Sequence, residues 1–283
     1  MSEAVPRRAW GSEGISPSAS RSRDYPGLLA AVTEPVRAGY ELTAFAAGLP
    51  MLLATAPQGD GHPVLVLPGF TTSDLSTLVL RRFLCGLGYN ARPWQLGRNT
   101  GSPELIDRLG KRFHRLALKS EQPISLIGHS LGGVFARELA RQYPDQVRQV
   151  ISLGSPFGLQ STGRANPLVM RLFERSSGMT KDAIQARARE DRADPPPVPA
   201  TAIYSRMDGV VHWRTCREQP VSAASGHITE NIEVPSSHIG MTVHPAVAYV
   251  IADRLAQSKS GFQAFRQPGS WRDLLFSPGS TTA

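Results

Sequence analysis

Ile124-Ser125-Leu126-Ile127-Gly128-His129-Ser130-Leu131-Gly132-Gly133 joins an apolar run to a Gly-X-Ser-X-Gly pentapeptide and then to a helix-forming segment. The order reads as a strand, a strained turn and a helix, with Ser130 at the apex. Gly128 and Gly132 are what such a turn needs, because two side chains flanking the serine would collide. The hydroxyl is then lifted clear of the sheet, above the positive end of the following helix. A serine so placed is a candidate nucleophile.

Outward from that stretch, strands and helices alternate. Pro63 to Leu67 is a continuous apolar run of strand length, of the kind buried on both faces of a parallel sheet. The pattern predicts a helix over Asp74–Leu87, a strand over Tyr89–Trp94, a helix over Pro103–Leu118, a strand over Ile124–Ile127 and a helix over Leu131–Gln142, which Pro144 stops. Strands follow over Val147–Leu153, Thr201–Ser205 and Asn231–Pro235, then a helix over Pro245–Ala256. This alternation implies an α/β fold with right-handed crossovers and a mostly parallel sheet of about six strands, helices covering both faces. Sites in such sheets lie beyond the carboxyl ends of the strands, where Ser130 falls.

The organisation around this core has four parts. Residues 1–23, rich in Ser, Pro, Gly and Arg, are expected to lack order. The main domain spans 24–257 and opens with one or two helices between Tyr25 and Ala56, interrupted by glycine and proline. An insertion over Pro156–Pro199 separates the fourth and fifth strands; an insertion of that length at the sheet's carboxyl edge reads as a cap or lid. Within it Leu168, Leu172 and Phe173 lie at spacings that give a helix one apolar face. Residues 258–283 form an aromatic tail with Phe262, Phe265 and Trp271.

A serine needs a base and a group to orient that base. Asp208 stands just beyond the fifth strand, whereas Asp182, Asp191 and Asp194 fall within the insertion, where charged residues are ordinarily solvated. Of seven histidines, His62 and His114 precede the serine, His129 adjoins it in a tight turn and is expected to point away, and His212 and His227 precede the last strand. His238 directly follows that strand and fits the base; His244, ahead of Pro245, is its rival. Two backbone donors for an oxyanion are read at Leu131, where the helix starts, and at Phe70, in the glycine turn Leu67-Pro68-Gly69-Phe70.

From Pro63 to Ala256 the chain resembles the α/β-hydrolase superfamily, on its bacterial lipase and carboxylesterase side. The resemblance rests on Leu67-Pro68-Gly69-Phe70, Gly128-His129-Ser130-Leu131-Gly132-Gly133, Leu153-Gly154-Ser155-Pro156, Asp208-Gly209-Val210-Val211 and Ser237-His238-Ile239-Gly240. It implies a Ser130, Asp208, His238 triad, no cofactor and no metal, with a small-molecule or lipid ester as substrate. Acyl transfer, thioester hydrolysis and polyester depolymerisation use the same triad and stay open. A non-catalytic binding protein of this fold is the reading of another class.

Composition bounds the rest. The 283 residues carry 41% apolar and 19% charged side chains, ordinary for a globular protein, and a net charge of +8 made mostly of scattered arginine. No signature for nucleic acid accompanies that charge. No secretory pattern follows Arg7-Arg8, so a cytoplasmic location is expected. Leu42–Ala56 is too short to span a bilayer; a core-packed helix is expected there, with a peripheral membrane contact as the alternative. Two cysteines allow at most one disulfide, and Cys85 is expected to be a buried free thiol. Oligomeric state is left open.

Overall fold

The structure, a computed structural model, describes residues 27–157, 175–178, 194–219, 228–258 and 261–266. Six strands form one sheet: β1 (Pro63–Leu67), β2 (Asn90–Pro93), β3 (Ile124–His129), β4 (Val147–Leu153), β5 (Ala200–Tyr204) and β6 (Thr229–Glu233). Their order is β2-β1-β3-β4-β5-β6, with every neighbouring pair parallel. The chain leaves β1 for β2 on one side and returns to build β3 to β6 on the other. The crevice between β1 and β3 is therefore the switch point of the sheet, where ligand sites in open parallel sheets form.

Helices α1 (Leu28–Val32), α2 (Glu34–Thr55), α3 (Leu78–Gly86), α4 (Pro103–Ala117), α5 (Leu131–Gln142) and α6 (Pro245–Leu255) account for the two covering layers. Because strand side chains alternate, Val64 and Val66 of β1 face one layer and Leu65 and Leu67 the other. The first layer packs Phe45 and Leu52 of α2, Leu80 and Phe83 of α3, and Val247, Val250 and Ile251 of α6 against Val64, Val66, Ile127 and Ile151. The second packs Leu105, Leu109 and Phe113 of α4 and Phe135 and Leu139 of α5 against Leu65, Leu67, Leu126 and Val150. Full burial of both faces explains why β1 and β3 read as unbroken apolar runs.

Some elements differ from the sequence reading. The segment from Tyr25 was expected to be broken at glycine and proline, yet α2 runs through Gly39, Gly48 and Pro50. Proline removes only the bond to the carbonyl of Ala46, an exposed residue, while Phe45 and Leu52 bury on the layer beneath. The helix expected from Asp74 begins as a 3₁₀ turn, Asp74–Thr77, before α3. The last strand starts at Thr229, opposite Ala200, and stops at Glu233. Pro235 offers no N–H to a ladder, and Ser236 N turns back to Val234 O at 3.0 Å. Cys85 is exposed, since α3 turns Phe83 and Leu84 to the sheet and leaves it on the opposite face. Cys216 is buried, and neither thiol is in a disulfide.

Among the described residues no helix is long and apolar enough to cross a membrane. The aromatic tail enters the described residues only at its start, where Phe265 is buried, the Arg254 guanidinium lies 5.4 Å from its ring, and its N–H donates to Glu230 at 2.8 Å. Leu168, Leu172, Phe173, Asp182, Asp191, His227 and Trp271 lie outside the described residues.

Candidate active site

Ser130 separates β3 from α5 with φ 50° and ψ −122°, a conformation that costs an L-residue of order 1–3 kcal/mol and persists only where the surroundings impose it. The surroundings are backbone. A side chain on Gly128 would collide with the main chain of Gly132 and Gly133, and one on Gly132 would come within 2.5 Å of the Leu67 carbonyl. Ser130 N donates to Leu153 O at 2.8 Å, pinning the turn to the end of β4.

The loop after β1 rises against this turn. A Cβ on Gly69 would lie 3.4 Å from Ser130 Cβ and 3.0 Å from His129 Nδ1, so Phe70 begins beside the serine. Asn99, fully buried, holds that loop: its side-chain amide donates to Pro68 O at 2.9 Å, its carbonyl accepts from Thr71 N at 2.7 Å, and its N–H donates to Thr72 O at 2.8 Å. Thr71 itself sits at φ 62°. Leu131 is the first residue of α5, so its amide has no carbonyl four residues back within the helix.

On the other side of Ser130, the loops after β5 and β6 meet. Asp208 Oδ2 lies 2.6 Å from His238 Nδ1, and both residues are buried. Asp208 Oδ1 accepts from the amides of Val210 and Val211 at 2.8 and 2.7 Å, which fixes the carboxylate's orientation. With Nδ1–H donated to Asp208, the lone pair of the imidazole is on Nε2. Burial works against the charged imidazole, but the Asp208 and Glu34 carboxylates together outweigh it and the His238 pKa stands above its ordinary value. Gly154, at φ 54°, lies under the pair: a Cβ there would come 3.2 Å from both Asp208 Oδ2 and His238 Nδ1.

His129 packs against His238. Its ring centroid is 5.0 Å from that of His238, and its Nε2 donates to the His238 carbonyl at 2.9 Å. Burial holds its pKa down to about 4, so it is a neutral strut. The other histidines have separate duties. His244 caps α6, accepting from Ala246 N at 3.2 Å, and His114 is exposed on α4, stacked on Tyr143. His212 caps the 3₁₀ turn Trp213–Cys216. Asp194 is exposed, and its carbonyl accepts from Arg137 at 2.8 Å.

His62 forms a hydrogen-bonded chain of an aspartate, a histidine and a serine elsewhere in the sheet. Asp60 pairs with its Nδ1, and its Nε2 lies 2.9 Å from Ser125 Oγ. This chain sits at the amino end of β3. Ser125 is fully buried within the ladder, opposite Val64, and no helix begins beside it. Among the described serines, Ser130 alone combines strain, a helix start and a neighbouring glycine loop.

A family described as the alpha/beta hydrolase fold matches residues 84–196. The chain has the α/β-hydrolase fold. Solved structures with this hydrolase fold include a metagenome-derived lipolytic enzyme of the LipS and LipT pair, 16% identical with a TM-score of 0.51 over 70% of this chain and 93% of the other. Lipase B of Aspergillus fumigatus is 16% identical with a TM-score of 0.49, over 73% and 56%. The thioesterase domain from the curacin biosynthetic pathway is 14% identical with a TM-score of 0.47, over 71% and 93%. No curated protein sequence matches the chain.

The residues that sequence reasoning missed are Asn99 and the carboxylates of Glu34 and Glu41, which reach the loops beside His238. Gly154 was visible only as part of Leu153-Gly154-Ser155-Pro156.

Proposed function

We propose that the protein is a serine hydrolase of carboxylic esters that works through an acyl-enzyme. The observation that carries this reading is the strained Ser130 turn, tied by its N–H to Leu153, with Gly154, the next residue, under the hydrogen-bonded Asp208–His238 pair. Ser130 Oγ attacks the ester carbonyl carbon while His238 Nε2 takes the hydroxyl proton. The carbonyl oxygen becomes an oxyanion, met by the amides of Leu131 and Phe70, donors worth about 3–4 kcal/mol each in related chemistry. Collapse breaks the bond to the alcohol oxygen, which leaves with the proton from His238. Water then attacks the acyl group with His238 again as base, and the acid departs from Ser130. Asp208 stays ionised and orients the imidazole throughout.

The insertion supplies the acyl pocket in this proposal, through Leu168, Leu172 and Phe173. Each methylene buried there is worth about 0.8 kcal/mol, so an apolar wall favours longer acyl chains over acetate. No resident cofactor or metal takes part, and the substrate is a small-molecule or lipid ester.

The test is a panel of nitrophenyl esters of rising acyl length, with a thioester and an emulsified triglyceride alongside, on wild type and Ser130→Ala. Ester turnover that vanishes in folded Ser130→Ala supports the reading. Undiminished turnover in that variant overturns it. Phe173→Ala should lower the octanoyl to acetyl ratio of kcat/KM; an unchanged ratio removes the insertion from the pocket.

A further inference from the structure

One buried carboxylate beside His238 has no part in the steps above. Glu34, at the first position of α2 and 2% exposed, lies 204 residues away in sequence. Its Oε1 accepts from Gly209 N at 2.8 Å and from His238 N at 3.0 Å, and its Oε2 accepts from Ile239 N at 2.9 Å. Arg37, one turn on, donates to Oε1 at 2.7 Å. Two helical turns on and on the same side, Glu41 accepts from Ser237 N and Ser237 Oγ, both at 2.6 Å. One helix face thus holds three successive amides of the base-bearing loop and the amide that follows Asp208.

The loops are shaped for this grip. A side chain on Gly209 would collide with the Ala30 carbonyl of α1, and one on Gly240 would occupy the place of the Glu41 carboxylate. Both glycines therefore let the N-terminal helices reach loop backbone. Ser205 Oγ adds a direct tie, accepting from Met207 N at 3.0 Å and Ser236 N at 3.2 Å.

We propose that Glu34 is a positioning residue of the site, whose carboxylate gathers the acid-bearing and base-bearing loops and supplies a second negative charge, after Asp208, that favours the imidazolium of His238. A charge so placed acts when His238 has taken the Ser130 proton, since an imidazolium flanked by two carboxylates is stabilised relative to the neutral ring. The charged and titratable groups facing His238 are Asp208 from the β5 loop, Glu34, Arg37 and Glu41 from α2, and His129 from β3. Of these, Asp208 and Glu34 raise its proton affinity, whereas burial opposes them.

The kinetic arm of the test rests on the esterase reading, and the spectroscopic arm does not. The His238 imidazole is titrated by NMR, and the pH profile of kcat/KM on a short nitrophenyl ester is recorded, in wild type, Glu34→Gln, Glu34→Asp and Arg37→Gln. In Glu34→Gln the His238 ionisation should fall by about one unit in both measurements. Glu34→Asp, which keeps the charge, should titrate close to wild type even where its rate drops. Arg37→Gln uncovers the Glu34 charge and should move the ionisation upward. A folded Glu34→Gln with an unmoved His238 overturns the proposal, as does Glu34→Asp shifting as far as Glu34→Gln. If Glu34→Gln does not fold, Arg37→Gln decides: no upward movement overturns it. A wild type that hydrolyses no ester defeats the esterase reading and leaves the NMR arm to judge Glu34.

Discussion

His129 Nε2 donates to the main-chain carbonyl of His238 at 2.9 Å, so the residue before the candidate nucleophile holds the residue that would serve as its base. His129→Leu removes the donor and leaves a buried carbonyl unpaired, at about 1–3 kcal/mol. The expected result is a lower Tm with kcat reduced more than KM rises, because the His238 loop loses its strut. Unchanged kcat in a folded variant would show that the loop is held without it.

In the proposed mechanism the pH dependence follows from His238. As base it must be neutral, and its pKa stands above the usual value of about 6.5. The rate constant kcat/KM should therefore rise with pH through an ionisation above that value. The linkage to stability has the opposite sense. A folded-state pKa raised above the unfolded one contributes stability that is full below the unfolded pKa and is lost as pH climbs through the folded pKa. Rate profiles of wild type on a soluble ester and urea unfolding of wild type and His238→Gln from pH 5 to 9 check both signs.

Two serines, one in β3 and one just past its end, offer a clean contrast. Ser125 completes a chain with His62 and Asp60 at the start of β3, while Ser130 follows the end of β3, its N–H tied to Leu153 next to the Gly154 that underlies Asp208 and His238. Ser125→Ala should keep ester turnover within about twofold and cost about 1–3 kcal/mol of stability, because it leaves the buried His62 Nε2 without its partner. Ser130→Ala should do the reverse. A loss of turnover in Ser125→Ala at unchanged Tm would contradict this division.

Asn99→Ala frees the Pro68 carbonyl, one tie of the turn that carries Phe70, while the main-chain bonds to Thr71 and Thr72 remain. Removing an oxyanion donor outright costs about 10²–10³ in kcat, and a donor that is displaced rather than removed should cost about 10-fold or more. The change should fall on kcat for the shortest ester, where acyl packing contributes least. Equal loss on every chain length through KM alone would place Asn99 outside the oxyanion loop's support.

The contrast between what was legible and what was not has a physical cause. Ser130 announces itself because its turn needs glycines at fixed offsets, and the β3 and α5 patterns on either side are local. Asp208 and His238 are legible through chain order, each following a strand of the same sheet. Glu34, Glu41 and Asn99 act on backbone amides and carbonyls, which every residue possesses, so their partners carry no recognisable side chain. The bond from His129 to the His238 carbonyl was not legible either, since its acceptor is main chain. The extra length of α2 was missed because proline and glycine tendencies are weak beside the burial of Phe45 and Leu52.

The bonds from Glu34 to His238 and Ile239 span 204 and 205 positions, and they impose an order on folding. Parallel strands joined by crossovers already make loop closure slow. During synthesis α2 emerges early, whereas the amides of His238 and Ile239 follow β6, the last described strand along the chain. The sheet from β1 to β5 can therefore form before Glu34 and His238 meet, and the strained Ser130 turn precedes its base in time. Ester turnover should accordingly recover later in refolding than the fluorescence of Trp94, which is buried against the early part of the sheet.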